Sequence, residues 1–181
     1  MRAWLPVIMC GVLLVGFVIS SCSRSQKMTE EQLFGLAKNL QEKEQYEEAA
    51  KTLEKLVKDY PTGRHAEEAL YRLGLLYANN LHDYKRAIAS YQRLIEQFPN
   101  STRLAQAYFM IGYHYANDVK DLDKARQAYN TFLEKFPNHE LVPSVQFELK
   151  YLGKDISQLD IFQEGEATSS AGDQGSSKGG K

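Results

Sequence analysis

The sequence has few cysteines, a single tryptophan and no excess of charge of either sign. Its two cysteines, Cys10 and Cys22, are too few for a disulfide framework or a four-thiolate metal site. Lys and Arg total 22 against 23 for Asp and Glu, so the chain lacks the basic excess that nucleic-acid binding requires. Hydrophobic residues make up 43% of the 181 residues. The composition therefore favours one ordinary core, with room for appendages.

The only long apolar run lies at the N-terminus. Arg2 precedes an apolar stretch from Trp4 to Ile19, and small residues follow it. A charged start, an apolar stretch and small residues are typical of a secretory signal peptide. As a membrane-spanning helix the stretch would reach only about 24 Å, against roughly 30 Å for the hydrocarbon core. Residues 1–21 are therefore predicted to be a signal peptide.

The end of this segment, Ile19-Ser20-Ser21-Cys22, resembles the lipobox of bacterial lipoproteins. The resemblance implies cleavage before Cys22 and attachment of diacylglyceryl and N-acyl chains to it. Several acyl chains anchor a protein stably to a bilayer, whereas one does so only marginally. Ser23 resembles the residue found in lipoproteins sent to the outer membrane of Gram-negative bacteria. The alternative is a chance cysteine after an ordinary signal peptide.

The folded part is flanked by polar segments of low complexity. Residues 22–28 are predicted to be the lipidated cysteine and a short tether. Residues 156–181 are predicted to be a disordered tail, because the last 18 residues include five Gly and four Ser and very little that is apolar. The folded domain is accordingly predicted over residues 29–155.

The middle of the chain repeats with a period of 38 residues. Pro61, Pro99 and Pro137 are spaced at this interval. The same interval relates four further sets, Ala49–Ala87–Ala125, Leu53–Tyr91–Tyr129, Leu56–Leu94–Phe132 and Tyr60–Phe98–Phe136. It also relates two pairs, Gly74–Gly112 and Tyr77–Tyr115. Because so many positions share the same 38-residue spacing, the sequence predicts a series of structural repeats.

Each repeat is predicted to be a pair of α-helices. One helical face of the second helix in the middle unit carries Ala87, Tyr91, Leu94 and Phe98. Asp83 is placed to cap the start of this helix, and Pro99 ends it. Its partner helix is predicted from Ala66 to Asn79, with Gly74 allowing close approach of the neighbouring helix at Ala87.

The two ends of the repeat region carry their own signals. Thr29 and Gln32 form a capping-box pattern at the start of the first helix. The stretch from Leu141 to Leu152 has the pattern of a first helix without a second. Lys150 occupies the position at which the other units have Gly, as expected for a terminal helix whose outer face is exposed to solvent.

These residues resemble the tetratricopeptide repeat (TPR). The matching positions of the middle copy are Leu70, Leu73, Gly74, Tyr77, Ala87, Tyr91 and Pro99, and those of the next copy are Tyr108, Ile111, Gly112, Tyr115, Ala125, Tyr129 and Pro137. The first copy is degenerate, with Leu33, Leu36, Ala37, Leu40, Ala49, Leu53 and Pro61. The resemblance implies an all-α, TPR-type α-solenoid of about three helix-turn-helix units plus a C-terminal capping helix.

Together with the lipobox, the motifs Phe98-Pro99-Asn100 and Phe136-Pro137-Asn138 are similar to those of BamD-type outer-membrane lipoproteins, which belong to the machine that inserts β-barrels. The C-terminal TPR part of the Tol-Pal coordinator protein is similar too. The resemblance implies a lipid-anchored periplasmic scaffold that mediates protein–protein interactions in outer-membrane assembly. A Tol-Pal or cell-wall adaptor stays open as an alternative, as does, less favoured, a periplasmic enzyme or metal carrier.

In TPR proteins the first helices line a concave groove, and the resemblance assigns groove positions to this chain. The predicted partner-binding residues are Phe34, Tyr71, Leu75, Asn79, Phe109, Tyr113 and Asn117. Such a row suits an extended or helical apolar peptide whose backbone the two amides could bond. The alternative is that the rings are ordinary packing between repeats. The Lys and Asn set with which some TPR domains clamp a C-terminal carboxylate is absent.

No catalytic residue, metal site or cofactor is predicted. The four histidines lie far apart along the chain, and no two of them are four residues apart on one helix. Asp118, Asp121 and Asp123 lack the Gly and Glu of a calcium loop, and capping of a helix by Asp121 explains more. Phosphate-binding and nucleophile motifs are missing. We therefore expect a non-enzymatic protein with protein partners, a membrane anchor, no nucleic acid and no small-molecule substrate.

Overall fold

The computed structural model describes residues 27–154, and within this range the chain is helical with no strand. Its helices are α1 (Glu30–Glu42), α2 (Tyr46–Asp59), α3 (Ala66–Asn79), α4 (Tyr84–Gln97), α5 (Leu104–His114), α6 (Leu122–Lys135) and α7 (Val142–Tyr151), with a π-helical turn at Tyr115–Val119. None of these helices is long and apolar enough to cross a bilayer. The predicted signal peptide, Cys22, most of the tether and the predicted tail lie outside the described residues.

The helices pack as consecutive pairs. α1 packs with α2, α3 with α4 and α5 with α6, while α3, α5 and α7 each also contact the second helix of the preceding pair. Contacts restricted to neighbouring units are characteristic of a solenoid. The prediction of an all-α, TPR-type solenoid with three helix pairs and a C-terminal helix is confirmed.

Side-chain caps set the starts of three helices where the sequence predicted them. The Thr29 hydroxyl accepts a hydrogen bond from the Gln32 N–H at 3.3 Å, and the Gln32 side chain accepts one from the Thr29 N–H at 2.9 Å. The carboxylates of Asp83 and Asp121 accept bonds from backbone N–H groups three residues on, at 3.0 and 3.1 Å. These caps satisfy amides that have no partner inside the helix. The predicted capping box and the role of Asp121 are confirmed.

Gly74 and Gly112, two of the three glycines within the described helices, allow close approach of the neighbouring helix. A Cβ on Gly74 would lie 2.3 Å from the Tyr91 ring, and one on Gly112 would lie 2.5 Å from the Tyr129 ring. Both rings are completely buried. The atoms nearest to each glycine therefore belong to a tyrosine ring of the second helix of the same unit, four residues beyond Ala87 in the case of Tyr91.

The turn inside each unit contains a left-handed residue that the sequence did not reveal. Glu44, His82 and Lys120 have φ angles of 58°, 52° and 63°, and they are spaced by 38 residues. Left-handed backbone normally favours Gly or Asn. Since none of the three is Gly or Asn, only the repeat register could have pointed to them.

Carboxylates of the first helices tie successive units together. Glu30 Oε1 accepts a hydrogen bond from the His65 N–H at 2.5 Å, immediately before α3. In the next unit Glu67 Oε1 accepts one from the Ser101 hydroxyl at 2.7 Å, and Ser101 Oγ in turn accepts one from the Arg103 N–H at 3.0 Å. These bonds fix where α3 and α5 enter the stack, and so where their side chains lie relative to the preceding unit.

Candidate partner-binding groove

The predicted groove residues lie on α1, α3, α5 and the turn after α5, and their exposure differs along the stack. Phe34 on α1 is only 8% exposed. Its ring stacks on His65 with centroids 4.3 Å apart and planes within 9°, and the Arg72 guanidinium lies 5.6 Å from its centroid. Phe34 therefore offers little surface to a partner and contributes mainly to packing between the first two units.

The groove residues of α3 are intermediate. Tyr71 and Leu75 are half-buried, and Asn79 is exposed at the last turn of the helix. The Tyr71 ring contacts the Tyr91 ring at 6.0 Å, and the Arg103 guanidinium lies 5.2 Å from its centroid. Tyr71 thus packs on a ring of its own unit on one side and contacts a basic side chain of the next unit on the other.

The groove is most open at α5. Tyr113 is 38% exposed, one of the most accessible large apolar side chains among residues 27–154. Phe109 is half-buried, with its ring 6.3 Å from Tyr113 and 6.2 Å from the buried Tyr129. The Asn117 side-chain amide donates to the Tyr113 carbonyl at 3.1 Å, which holds it beside the ring.

Two aromatic residues of α7 extend this surface, and sequence reasoning missed them. Phe147 follows Phe109 by 38 residues, and Tyr151 follows Tyr113 by the same interval. The Phe147 and Tyr151 rings are 4.7 Å apart, and Phe147 is 46% exposed. The period alone would have identified both residues had it been extended into the last helix.

The α7 rings open onto a cavity at the end of the stack. Its volume is about 460 Å³. Its lining includes Asn117, Lys120, Leu122, Phe147 and Tyr151. We call Phe109, Tyr113, Phe147 and Tyr151 the aromatic platform. Asn117 links the platform to this cavity, because it lines the cavity and its side-chain amide bonds the Tyr113 carbonyl. Two of the lining side chains are aromatic, and the charged Lys120, Glu148 and Lys154 also line it.

The charge of the groove differs between α1 and α5. On α1 the Glu31 carboxylate bonds His65 Nε2 at 2.8 Å, and this hydrogen bond lowers the pKa of Glu31. On α5 the corresponding face is uncharged, with Gln106 preceding the aromatic rings and no acidic residue in the first turn. Burial raises the pKa of Tyr129 beneath the platform, so its hydroxyl stays neutral. The platform thus suits a partner segment with apolar side chains.

The part of the chain between residues 27 and 154 has no group of three or more His, Cys, Asp or Glu that could hold a metal ion. The one fully buried histidine, His114, uses Nδ1 to bond Asp118 Oδ2 at 2.8 Å across the π-helical turn. Its ring also lies 5.7 Å from that of Tyr84 on α4. His114 therefore joins the turn to the preceding unit, which is a structural role.

Residues 26–162 match a protein family described as YfiO, an outer membrane lipoprotein. The match covers about three quarters of the chain and contains all seven helices together with the aromatic platform. A comparison with curated proteins gave no match. The helix pairs agree with the TPR-type resemblance to BamD-like proteins, and the resemblance of residues 19–22 to a lipobox agrees with the family description. The chain belongs to the YfiO family of outer membrane lipoproteins.

Proposed function

We propose that this protein is a lipid-anchored scaffold that holds a partner protein in its concave groove during outer-membrane β-barrel assembly. The observation that carries the proposal is the exposure of Tyr113 and Phe147 in the aromatic platform, 38% and 46%, which makes them the two exposed aromatic side chains among residues 27–154. Exposed aromatic side chains at adjoining positions are a recurring feature of protein-binding surfaces.

The shape and chemistry of the platform favour a segment with apolar side chains. The Tyr113 and Phe147 side chains are exposed, and Asn117 and Lys120 line the cavity that Phe147 borders. An extended strand or one face of an amphipathic helix fills such a groove with apolar anchors, while its polar groups meet the rim. We expect the partner to be a peptide segment of this kind, whose aromatic or aliphatic side chains enter the cavity.

The anchor defines where this binding takes place. Acyl chains on Cys22 would hold the domain at the periplasmic face of the outer membrane, and the short polar segment before α1 would keep the groove close to the bilayer. Partner segments arriving from the periplasm would then meet the groove near their site of assembly. The role is that of a scaffold without catalytic chemistry, cofactor or small-molecule substrate.

Site-specific photo-crosslinking in cells tests the proposal. A photoreactive residue at Tyr113 or Phe147 should capture a barrel-assembly subunit or an unassembled barrel protein. The matched control is Arg126, an exposed residue of α6, the second helix of its unit, and it should not give the same product. Capture of a Tol-Pal component or a peptidoglycan synthase would favour the adaptor role instead. Identical products at all three positions would show that the groove is not the binding surface.

A further inference from the structure

The cavity at the end of the stack lies where the described chain stops. Gly153 and Lys154, the last two described residues, both line it. Gly153 has a φ of 79°, the left-handed conformation in which a chain commonly turns away from the end of a helix. A Cβ on it would lie 2.8 Å from Leu122 Cδ1, so the chain leaves α7 against the start of α6. The rest of the chain is therefore joined at the wall of the cavity.

The repeat register gives the residues at the equivalent positions one unit earlier. There the Tyr84 and His114 rings lie 5.7 Å apart, and Asp118 Oδ2 lies 2.8 Å from His114 Nδ1. After a further 38 residues the same three positions hold Leu122, Leu152 and Ile156. The first two of these line the cavity. Two rings and a carboxylate that contact one another are thus replaced together by aliphatic side chains, so Ile156 has the chemistry that contact with the other two requires.

The residues that follow Ile156 continue this apolar character for a short distance only. Between residues 156 and 162 the apolar side chains are Ile156, Leu159, Ile161 and Phe162, whereas from 163 to 181 they are two alanines. The family match also ends at residue 162. Seven residues reach at most about 25 Å, more than twice the roughly 10 Å of helix that separates Phe147 from the end of α7. Segment 156–162 is therefore long enough to reach every residue that lines the cavity.

The charges of the cavity and of this segment are complementary. Lys120 and Lys154 line the cavity against one carboxylate, that of Glu148. The Glu148 carboxylate also accepts a hydrogen bond from the Tyr129 hydroxyl at 3.4 Å. Residues 155–162 include two aspartates and no basic residue. Charges of opposite sign favour and orient such a contact, although the apolar side chains supply most of its free energy.

We propose that segment 156–162 of this chain occupies the cavity at the end of the stack, with Ile156 on Leu152 and the later apolar side chains on Phe147. The segment covers a helix that has no second helix of its own among the described residues. Weak contacts suffice for this, because a tethered segment acts at an effective concentration on the order of millimolar. Segment and partner then compete for Phe147, so the chain regulates access to its own platform. This last step rests on the proposed function, whereas the docking of the segment does not.

Intramolecular photo-crosslinking of the full-length protein tests the docking. p-Benzoylphenylalanine in place of Phe162 should give a product within one chain, which mass spectrometry places in α7 or between Asn117 and Leu122. The same group in place of Ala171, beyond the apolar segment, is the control and should give little of this product. Equal yields from the two positions would overturn the proposal. A product that joins two chains would also overturn it, because a second copy would then fill the cavity.

Two aspartate substitutions separate contact from mere proximity. Leu159→Asp should lower the yield of the intramolecular product about tenfold or more, because a charge replaces an apolar contact. Ser157→Asp introduces the same charge at a polar position of the segment and should change the yield little. Equal effects of the two substitutions would contradict docking through the apolar side chains.

Capture in cells tests the competition and keeps it distinct from the proposed function. With the photoreactive residue at Tyr113, Leu159→Asp should increase capture of the partner several-fold relative to Ser157→Asp, because Phe147 is no longer covered. Equal capture by the two chains overturns the competition. An absent intramolecular product with normal capture at Tyr113 overturns the docking alone. An intramolecular product without any capture at Tyr113 contradicts the proposed function instead.

Discussion

Side chains at equivalent groove positions differ in exposure because the next unit covers some of them and leaves others open. His65 and Arg72 cover Phe34, whereas the Phe147 ring on the last helix contacts only Tyr151 among the rings of the described chain. Stability and partner binding should therefore depend on different members of one column. This separation can be measured.

Substitution of Phe147 should affect binding while leaving the fold intact. Phe147→Ala removes a ring that is 46% exposed, so we expect a stability change of less than about 1 kcal/mol and a clear loss of crosslinking at Tyr113. Phe34→Ala is the matched control, and it should cost about 3 kcal/mol because the ring is buried. Urea unfolding and crosslinking on the same samples decide the matter. Equal losses of stability would place Phe147 in the core.

The two glycines of α3 and α1 respond oppositely to a methyl group. Gly74→Ala would place a Cβ 2.3 Å from the buried Tyr91 ring, so we expect a net loss of roughly 1–3 kcal/mol from overpacking. Gly35→Ala meets nothing within 4 Å and should stabilise α1 by about 1 kcal/mol through helix propensity. Thermal unfolding of both variants measures the difference. A stabilising Gly74→Ala would mean that the Tyr91 ring can move away.

Tyr77 makes the stability of the fold sensitive to high pH. Burial, together with the neighbouring Glu54, raises the pKa of Tyr77 from 10.0 to about 12. The folded state thus holds this proton more tightly than the unfolded state, and the resulting stability is present below pH 10 and lost as the pH rises from 10 to 12. Tyr77→Phe should flatten this part of the profile of unfolding free energy against pH. An unchanged slope would assign the alkaline sensitivity to the other buried tyrosines.

At the scale of elements, the helices could be predicted from sequence because their signals are local. The bounds of α3 and the caps of α1, α4 and α6 follow from hydrophobic period and short polar side chains next to it. The π-helical turn at Tyr115–Val119 could not be predicted this way, since it depends on the bond between His114 and Asp118 and on packing against α4.

The candidate groove was predicted only in part, because the exposure of its residues depends on contacts between units. The resemblance to TPR proteins identified aromatic residues at groove positions, but the burial of each ring depends on the unit that stacks on it, which is not encoded locally. Phe34 is therefore covered although it occupies the same column as Phe147.

The left-handed turns give a prediction at this scale. Glu44 is exposed and has a φ of 58°, a conformation that costs an L residue roughly 1–2 kcal/mol but costs Gly very little. Glu44→Gly should therefore stabilise the protein, by about 0.5–1 kcal/mol after the greater flexibility of Gly in the unfolded chain is counted. Arg126→Gly in the exposed face of α6 is the control and should cost about 1 kcal/mol. Urea midpoints report both, and a loss of stability in Glu44→Gly would contradict the argument.

At the scale of the whole molecule, the described chain has two hydrophobic clusters that divide the stack. The larger cluster runs from α1 to α5 and reaches Ala128 of α6, and the smaller one joins Ala105 of α5 and Ala116 to α6 and α7. Units that contact only their neighbours unfold in part independently. Phe109 of the aromatic platform packs against the smaller cluster, so the proposed binding surface lies at the end of the stack that this cluster holds together.

Hydrogen exchange on a core variant should reveal this division. Phe132 is completely buried in the smaller cluster, and Phe132→Ala should cost about 3–5 kcal/mol there because it leaves a cavity beneath α7. Amides of α5–α7 should lose protection, while those of α1 and α2 keep most of theirs, since neither helix touches the smaller cluster. A uniform loss across all seven helices would instead show one cooperative unit. In that case a partner bound at the platform would stabilise the first unit as strongly as the last.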